Sequence, residues 1–137
     1  MNPIVKNILV FIAAWLVGSL SNMLVLQLGM QLIAPPVGFD LNTPEGLKAA
    51  MPIMEWKHFI TPFLSHAIGT LVGAIILTNF AASHAFKLVM GLSFLFFLGG
   101  LAMVFMVPSP LAFTIIDLVF AYFPMGYLGY QLVYKSK

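Results

Sequence analysis

The amino-acid sequence predicts an all-α polytopic membrane protein, an antiparallel bundle of four transmembrane helices with a short interfacial helix between the first two. Three observations carry this. The 137 residues are 61% apolar and only 7% charged, whereas a soluble domain runs near a quarter charged. The charges are also far apart: 33 residues without Asp, Glu, Lys or Arg separate Lys6 from Asp40, and 29 separate Lys57 from Lys87 and again Lys87 from Asp117. A helix crosses the hydrocarbon in about 20 residues, so each run holds a span, and Leu111 to Tyr134, with Asp117 as its only formal charge, holds a fourth. The third observation is punctuation. Thr43-Pro44, Thr61-Pro62 and Ser109-Pro110 each set a capping hydroxyl before a proline at the first helical position, where the missing N–H costs nothing.

The first span, TM1, runs from about 4 to 33 and is stopped by Pro35-Pro36. It is much longer than the apolar core of a secretory signal, about 7 to 15 residues, and therefore reads as a retained helix. Residues 34–61 form the one connection long enough to hold structure outside the bilayer. Within it, Thr43, Pro44 and first-turn Glu45, followed by apolar Leu47, Ala50 and Met51, predict a short helix lying at the interface. It reads as a connector resting on the headgroups, with a lid over the bundle as the functional alternative. Trp56, Lys57 and Phe59 suit an interfacial anchor. TM2 follows over about 60–82, TM3 over about 84–107 with Ser83 as its expected cap, and TM4 over about 110–134. Connections of a few residues force antiparallel neighbours, and the chain forms a single membrane domain, 1–137.

Helices in lipid associate by letting their backbones approach, which small residues allow. Ala14 and Gly18 on TM1, with Asn22 next on the stripe, match Ser65, Gly69 and Gly73 on TM2 at the same spacing of four, so these two spans are expected to cross closely or to pair with a second copy. Gly99-Gly100 and Gly126 with Gly129 carry the same signal more weakly. TM3, with Ser93 its only internal hydroxyl, is expected to face lipid or another protein. Pro124 deprives the Phe120 carbonyl of its helical donor and should bend TM4, opening a pocket in the half that holds Asp117. Tyr130 and Tyr134 fit an aromatic belt.

Asp117 is the residue that the membrane makes expensive. At a helix centre an Asp costs about 2.5 to 3.5 kcal/mol, while each Leu, Ile, Phe or Val returns about 0.3 to 0.6, and TM4 carries eleven of those. Insertion therefore tolerates Asp117 without explaining it. About 10 Å below the start of TM4, the carboxylate should face the bundle or a wet cavity. The same count places His66 about 6 Å deep on TM2, Gln27 about 10 Å and Asn22 about 18 Å deep on TM1. Asp117, His66 and one of Asn22 or Gln27 are thus expected to share a polar layer, extended by Thr114 and Thr70 a turn away on their own helices. Asn22 and Gln27 lie roughly 140° apart and cannot both point at one partner.

Plainer readings exist for each residue: a membrane Asn serves as interhelical glue, and an Asp with a His forms a structural pair. Burial and pairing push the protonation of an acid–imidazole couple in opposite directions, a balance that a proton-linked carrier uses. Glu55 and His58 at Glu-x-x-His spacing, with His66 two turns on, are weak metal candidates, because bundle metal sites take that motif from two helices plus further glutamates; no metal and no cofactor are expected. No partnered nucleophile, oxyanion loop or cofactor fingerprint accompanies Asp117 and His66, so no catalytic residues are expected and an enzyme acting on lipid ranks last. There is no cysteine and no arginine among the six basic residues, which leaves nothing to fork onto phosphates, and nucleic acid is not an expected partner. Lys6, Lys87, Lys135 and Lys137 fall on one side against Lys48 and Lys57 on the other, which puts both termini in the cytoplasm, by default of a bacterial inner membrane. The leading expectation is a non-enzymatic accessory or assembly subunit embedded in the bilayer, as a homo-oligomer or with a membrane-protein partner. The alternative is a carrier or binding protein for a small polar or proton-linked solute, built on the Asp117, His66 and Asn22 cluster.

Overall fold

A computed structural model describes residues 1–136. Six α-helices follow one another: α1 Pro3–Leu32, α2 Pro44–Ala50, α3 Ile60–Phe80, α4 Ala85–Met106, α5 Leu111–Phe120 and α6 Phe123–Tyr134. Four stretches, Pro3–Leu32, Trp56–Phe80, Ala85–Met106 and Leu111–Tyr134, are long and apolar enough to cross a membrane. They form an antiparallel bundle with the chain ends on one side, here the terminal side, and residues 33–59 on the other, the loop side.

Capping explains where the helices start, and it differs from the expected caps in three places. Asn2 opens α1 by accepting from the Ile4 N–H at 2.8 Å, and Thr43 opens α2 by accepting from the Gly46 N–H at 3.1 Å. Thr61, by contrast, is a buried residue inside α3. The second span begins a turn earlier with a 3-10 turn, Trp56–Phe59, that Glu55 and His58 close as a reciprocal capping box. Ser83 does not cap α4. The chain reaches α4 through His84 in the left-handed region, at φ 54°, and the Ser83 hydroxyl is taken by Asn7 at 3.2 Å. Asn7 also accepts from the Ala82 N–H at 2.8 Å, so one α1 side chain ties down the α3–α4 turn. Ser109 likewise bonds the Thr114 hydroxyl at 2.8 Å instead of a backbone donor, and Pro110 itself is the cap of α5.

The tightest packing follows the small residues. A Cβ on Gly69 would lie 2.8 Å from the Gly18 carbonyl oxygen and 2.8 Å from the Asn22 Cβ, and one on Gly73 would lie 3.1 Å from the Ala14 carbonyl oxygen. Near the loop side, a Cβ on Gly29 would run into Thr61. Thus α1 and α3 are in backbone contact along most of their length, the arrangement that substitutes in lipid for hydrophobic driving force. On the far side of α3, α6 docks where a Cβ on Gly129 would lie 2.7 Å from the Ala74 Cβ, and Gly126 accommodates Ser93 of α4. The third span therefore does not simply face lipid: Val89, Leu92, Ser93 and Gly100 are buried against the bundle, while Phe94, Leu95 and Leu98 are exposed.

The fourth span is broken. Pro124 has no N–H to give the Phe120 carbonyl, and the helix stops there, with Tyr122 at φ −113° and ψ −79° before α6 resumes. Half of the span, α5, touches its neighbours lightly, whereas α6 is packed on both α3 and α4.

Candidate functional site

Asp117 sits on α5 one turn above that break, 4% exposed, with its carboxylate directed at α3. The Nδ1 of His66 lies 2.8 Å from Oδ1 and 3.0 Å from Oδ2, and the Tyr122 hydroxyl donates to Oδ2 at 3.1 Å. The Tyr122 ring stacks on the imidazole, with centroids 5.8 Å apart and planes at 26°. An acceptor-only carboxylate at hydrocarbon depth is thereby given two donors. Holding Nδ1 also fixes the imidazole orientation and leaves Nε2 as the nitrogen not engaged by the carboxylate, the same device by which carboxylates orient histidines elsewhere.

Tyr122 was not predictable from helical spacing. Five residues of straight helix place it roughly 140° from Asp117, and only the break at Pro124 turns it back. Gly100 makes room for it: a Cβ there would run into the Tyr122 hydroxyl and lie 2.7 Å from the phenol Cζ. A dipeptide of glycine on α4 and a proline two residues after the tyrosine were the available signals.

Two cavities meet at this cluster. One, about 220 Å³, lies at the loop side and reaches Asp117 and His66 between Thr61, Phe113 and Thr114; its roof includes Leu41, Leu47, Met51 and Met54 from the segment around α2. The other, about 530 Å³, lies between α1, α3 and α4 and is bordered by Ser19, Asn22, Thr70 and Tyr122. His66 borders both. The short helix is thus part of a cover over the first cavity as well as a connector.

The remaining expected members fall apart by position. Gln27 is exposed on the outer face of α1 and borders neither cavity. Asn22 packs its Cβ against Gly69 and borders the second cavity without a hydrogen bond to Asp117 or His66, because it stands nearer mid-span than they do. Thr70 is buried and its hydroxyl donates to the His66 carbonyl at 2.9 Å, a common intrahelical bond; Ser65 does the same to Pro62 at 2.7 Å. Thr114 lines the first cavity but spends its hydroxyl on Ser109. Glu55 and His58 are engaged in the capping box, with the Glu55 N–H donating to His58 Nδ1 at 2.8 Å and Lys57 paired to Glu55 at 3.2 Å. Among the described residues, no three His, Asp or Glu side chains cluster as metal ligands would.

Comparison with protein families, curated proteins and solved structures found no match.

Proposed function

We propose that this protein binds or carries a small polar, proton-linked solute at the loop-side cavity, with Asp117, His66 and Tyr122 as its polar wall. One observation carries this reading: a buried carboxylate paired with a part-buried imidazole, 2.8 Å apart, borders a cavity of about 220 Å³ under a helical cover. A structural ion pair inside a membrane needs no cavity. Ligand pockets are mostly apolar with a few placed polar groups, and this one has Phe113, Val104 and four residues of its roof against Asp117, His66 and Thr114. It is below the roughly 300 Å³ of pockets for drug-sized ligands, which points to a solute of a few heavy atoms. His66 is the proton-exchanging member and Asp117 holds it; Thr114 and His66 are the solute contacts. An accessory or assembly role draws on no particular residue in comparison.

In this reading the loop side faces outward and both termini are cytoplasmic in an inner membrane, as the lysine distribution favours. The test is proton flux into proteoliposomes containing a pH-sensitive dye, on addition of small amines, carboxylates and neutral polyols in turn. We expect one class to drive saturable flux in the wild type and none in Asp117→Asn, which keeps the size of the side chain and removes its charge. An unchanged flux in Asp117→Asn, or no flux with any class together with no solute-dependent thermal shift of the purified protein, would overturn the reading.

A further inference from the structure

The larger cavity calls for a different occupant. Ser19 stands sixteen residues into α1, about 24 Å from its start and about 20 Å from its end, and the cavity is therefore centred in the hydrocarbon rather than at either surface. It opens sideways. The backbones of α1 and α4 stand apart, bridged by side chains such as Phe96 against Gly18, and the rim residues Trp15 and Leu98 are 42% and 43% exposed on the outside of the bundle. Whatever fills such a space arrives from the bilayer.

The walls also contain unmet hydrogen bonding. Ser19 and Asn22, one turn apart on the same face of α1, both border the cavity. Among the described residues neither side chain has a hydrogen-bond partner, although Ser21, on the next face, bonds its own helix at the Val17 carbonyl. Polar groups without partners at this depth are costly. No Asp, Glu, Lys or Arg borders the cavity, and the one histidine there, His66, has its Nδ1 already held by Asp117. A head that is uncharged and accepts from the Asn22 N–H and the Ser19 O–H, on an apolar body lying against Trp15 and Phe96, meets the unused donors of the site.

We infer that the mid-membrane cavity is a lateral binding site for an uncharged carbonyl-bearing lipid, its head held by Ser19 and Asn22 and its body passing out between α1 and α4. Two sources carry this chemistry, a lipid-soluble quinone and a diacylglycerol. The site adjoins the solute cavity at His66, Gly100 and Met103 but stands or fails without it, because Ser19, Asn22 and Gly99 border only the larger space.

Trp15 on the rim is an internal reporter once the other tryptophan is removed as Trp56→Phe. Decylubiquinone titrated into this protein in nanodiscs should quench Trp15 with a saturable component. Asn22→Ala, which keeps the Cβ seated on Gly69, should weaken that component at least tenfold. Gly99→Phe should abolish it, since a Cβ at Gly99 meets nothing within 4 Å and the ring enters the cavity without disturbing the packed backbone. Thermal unfolding of each variant checks that it is folded; should Gly99→Phe fail, Ser19→Ala with Asn22→Ala takes its place. Competition by dioleoylglycerol separates the sources: displacement of the quinone marks a glyceride site, and undiminished quenching marks a quinone site. Quenching that rises linearly in every variant, as partition into lipid alone would give, overturns the site. So does a saturable signal indifferent to Asn22 and Gly99, which places the probe elsewhere.

Discussion

At the scale of residues, Asp117 is defined by its two donors. Removing either leaves a buried acceptor short, which typically costs about 1 to 3 kcal/mol. Asp117→Asn and His66→Ala should each lower the thermal transition in detergent, while the double variant should cost less than their sum by about 0.5 kcal/mol or more; strict additivity would mean that the 2.8 Å contact contributes nothing. A sharper expectation concerns Gly100. In a helix, alanine is favoured over glycine by about 1 kcal/mol, yet Gly100→Ala should destabilise by about 1 to 3 kcal/mol, the usual cost of overpacking, because its methyl displaces the Tyr122 hydroxyl from Asp117. Tyr122→Phe loses only the hydrogen bond and should cost about 1 kcal/mol. Counting depth along each helix was enough to put Asp117 and His66 in one layer. It could not find Tyr122, since that count assumes a straight helix and Pro124 breaks the one in question, nor could it choose Asn22 over Gln27 for the bundle interior except by continuing the Ala14, Gly18 stripe.

At the scale of elements, glycines that look alike in sequence divide by what faces them. Gly69 is opposed by the Gly18 carbonyl and the Asn22 Cβ, both at 2.8 Å from an added methyl, whereas Gly99 is opposed by nothing within 4 Å. Gly69→Ala should therefore destabilise the protein while Gly99→Ala stabilises it by up to about 1 kcal/mol, a difference of sign that thermal shifts in detergent will read directly. Spacing of four revealed the stripe on α1 and α3 because a repeating contact leaves a repeating pattern. The helix starts were less legible. Thr61, Ser83 and Ser109 all resemble caps, but a hydroxyl bonds whichever partner folding brings near, and for Ser83 that partner is Asn7, 76 residues away. Cavities leave no mark of this kind, since they are the places where side chains fail to meet.

For the whole molecule, composition and the distances between charges were sufficient for four spans and a loop-side helix, as the helices Pro3–Leu32, Trp56–Phe80, Ala85–Met106 and Leu111–Tyr134 attest. Orientation rests on the lysines alone. Reporter fusions at the C-terminus and within residues 40–55 should report opposite compartments, the former cytoplasmic; an external signal at the C-terminus would reverse the sidedness of the loop-side cavity. The break in the fourth span divides the bundle mechanically. Three spans and α6 pack together, and α5 extends from the break at Ala121–Tyr122, the pivot of any tilt, with Asp117 close to it and Leu111 at the far end. By helical rise the carboxylate is about 6 Å from the pivot and Leu111 about 15 Å, so a tilt of about 10° shifts Leu111 by roughly 2.5 Å but Asp117 by only about 1 Å. One ångström is still enough to turn a 2.8 Å hydrogen bond into no bond at all. In the reading proposed above, a tilt of α5 that displaces Leu111 at the loop side also opens the Asp117–His66 contact, and that coupling is what a carrier would use.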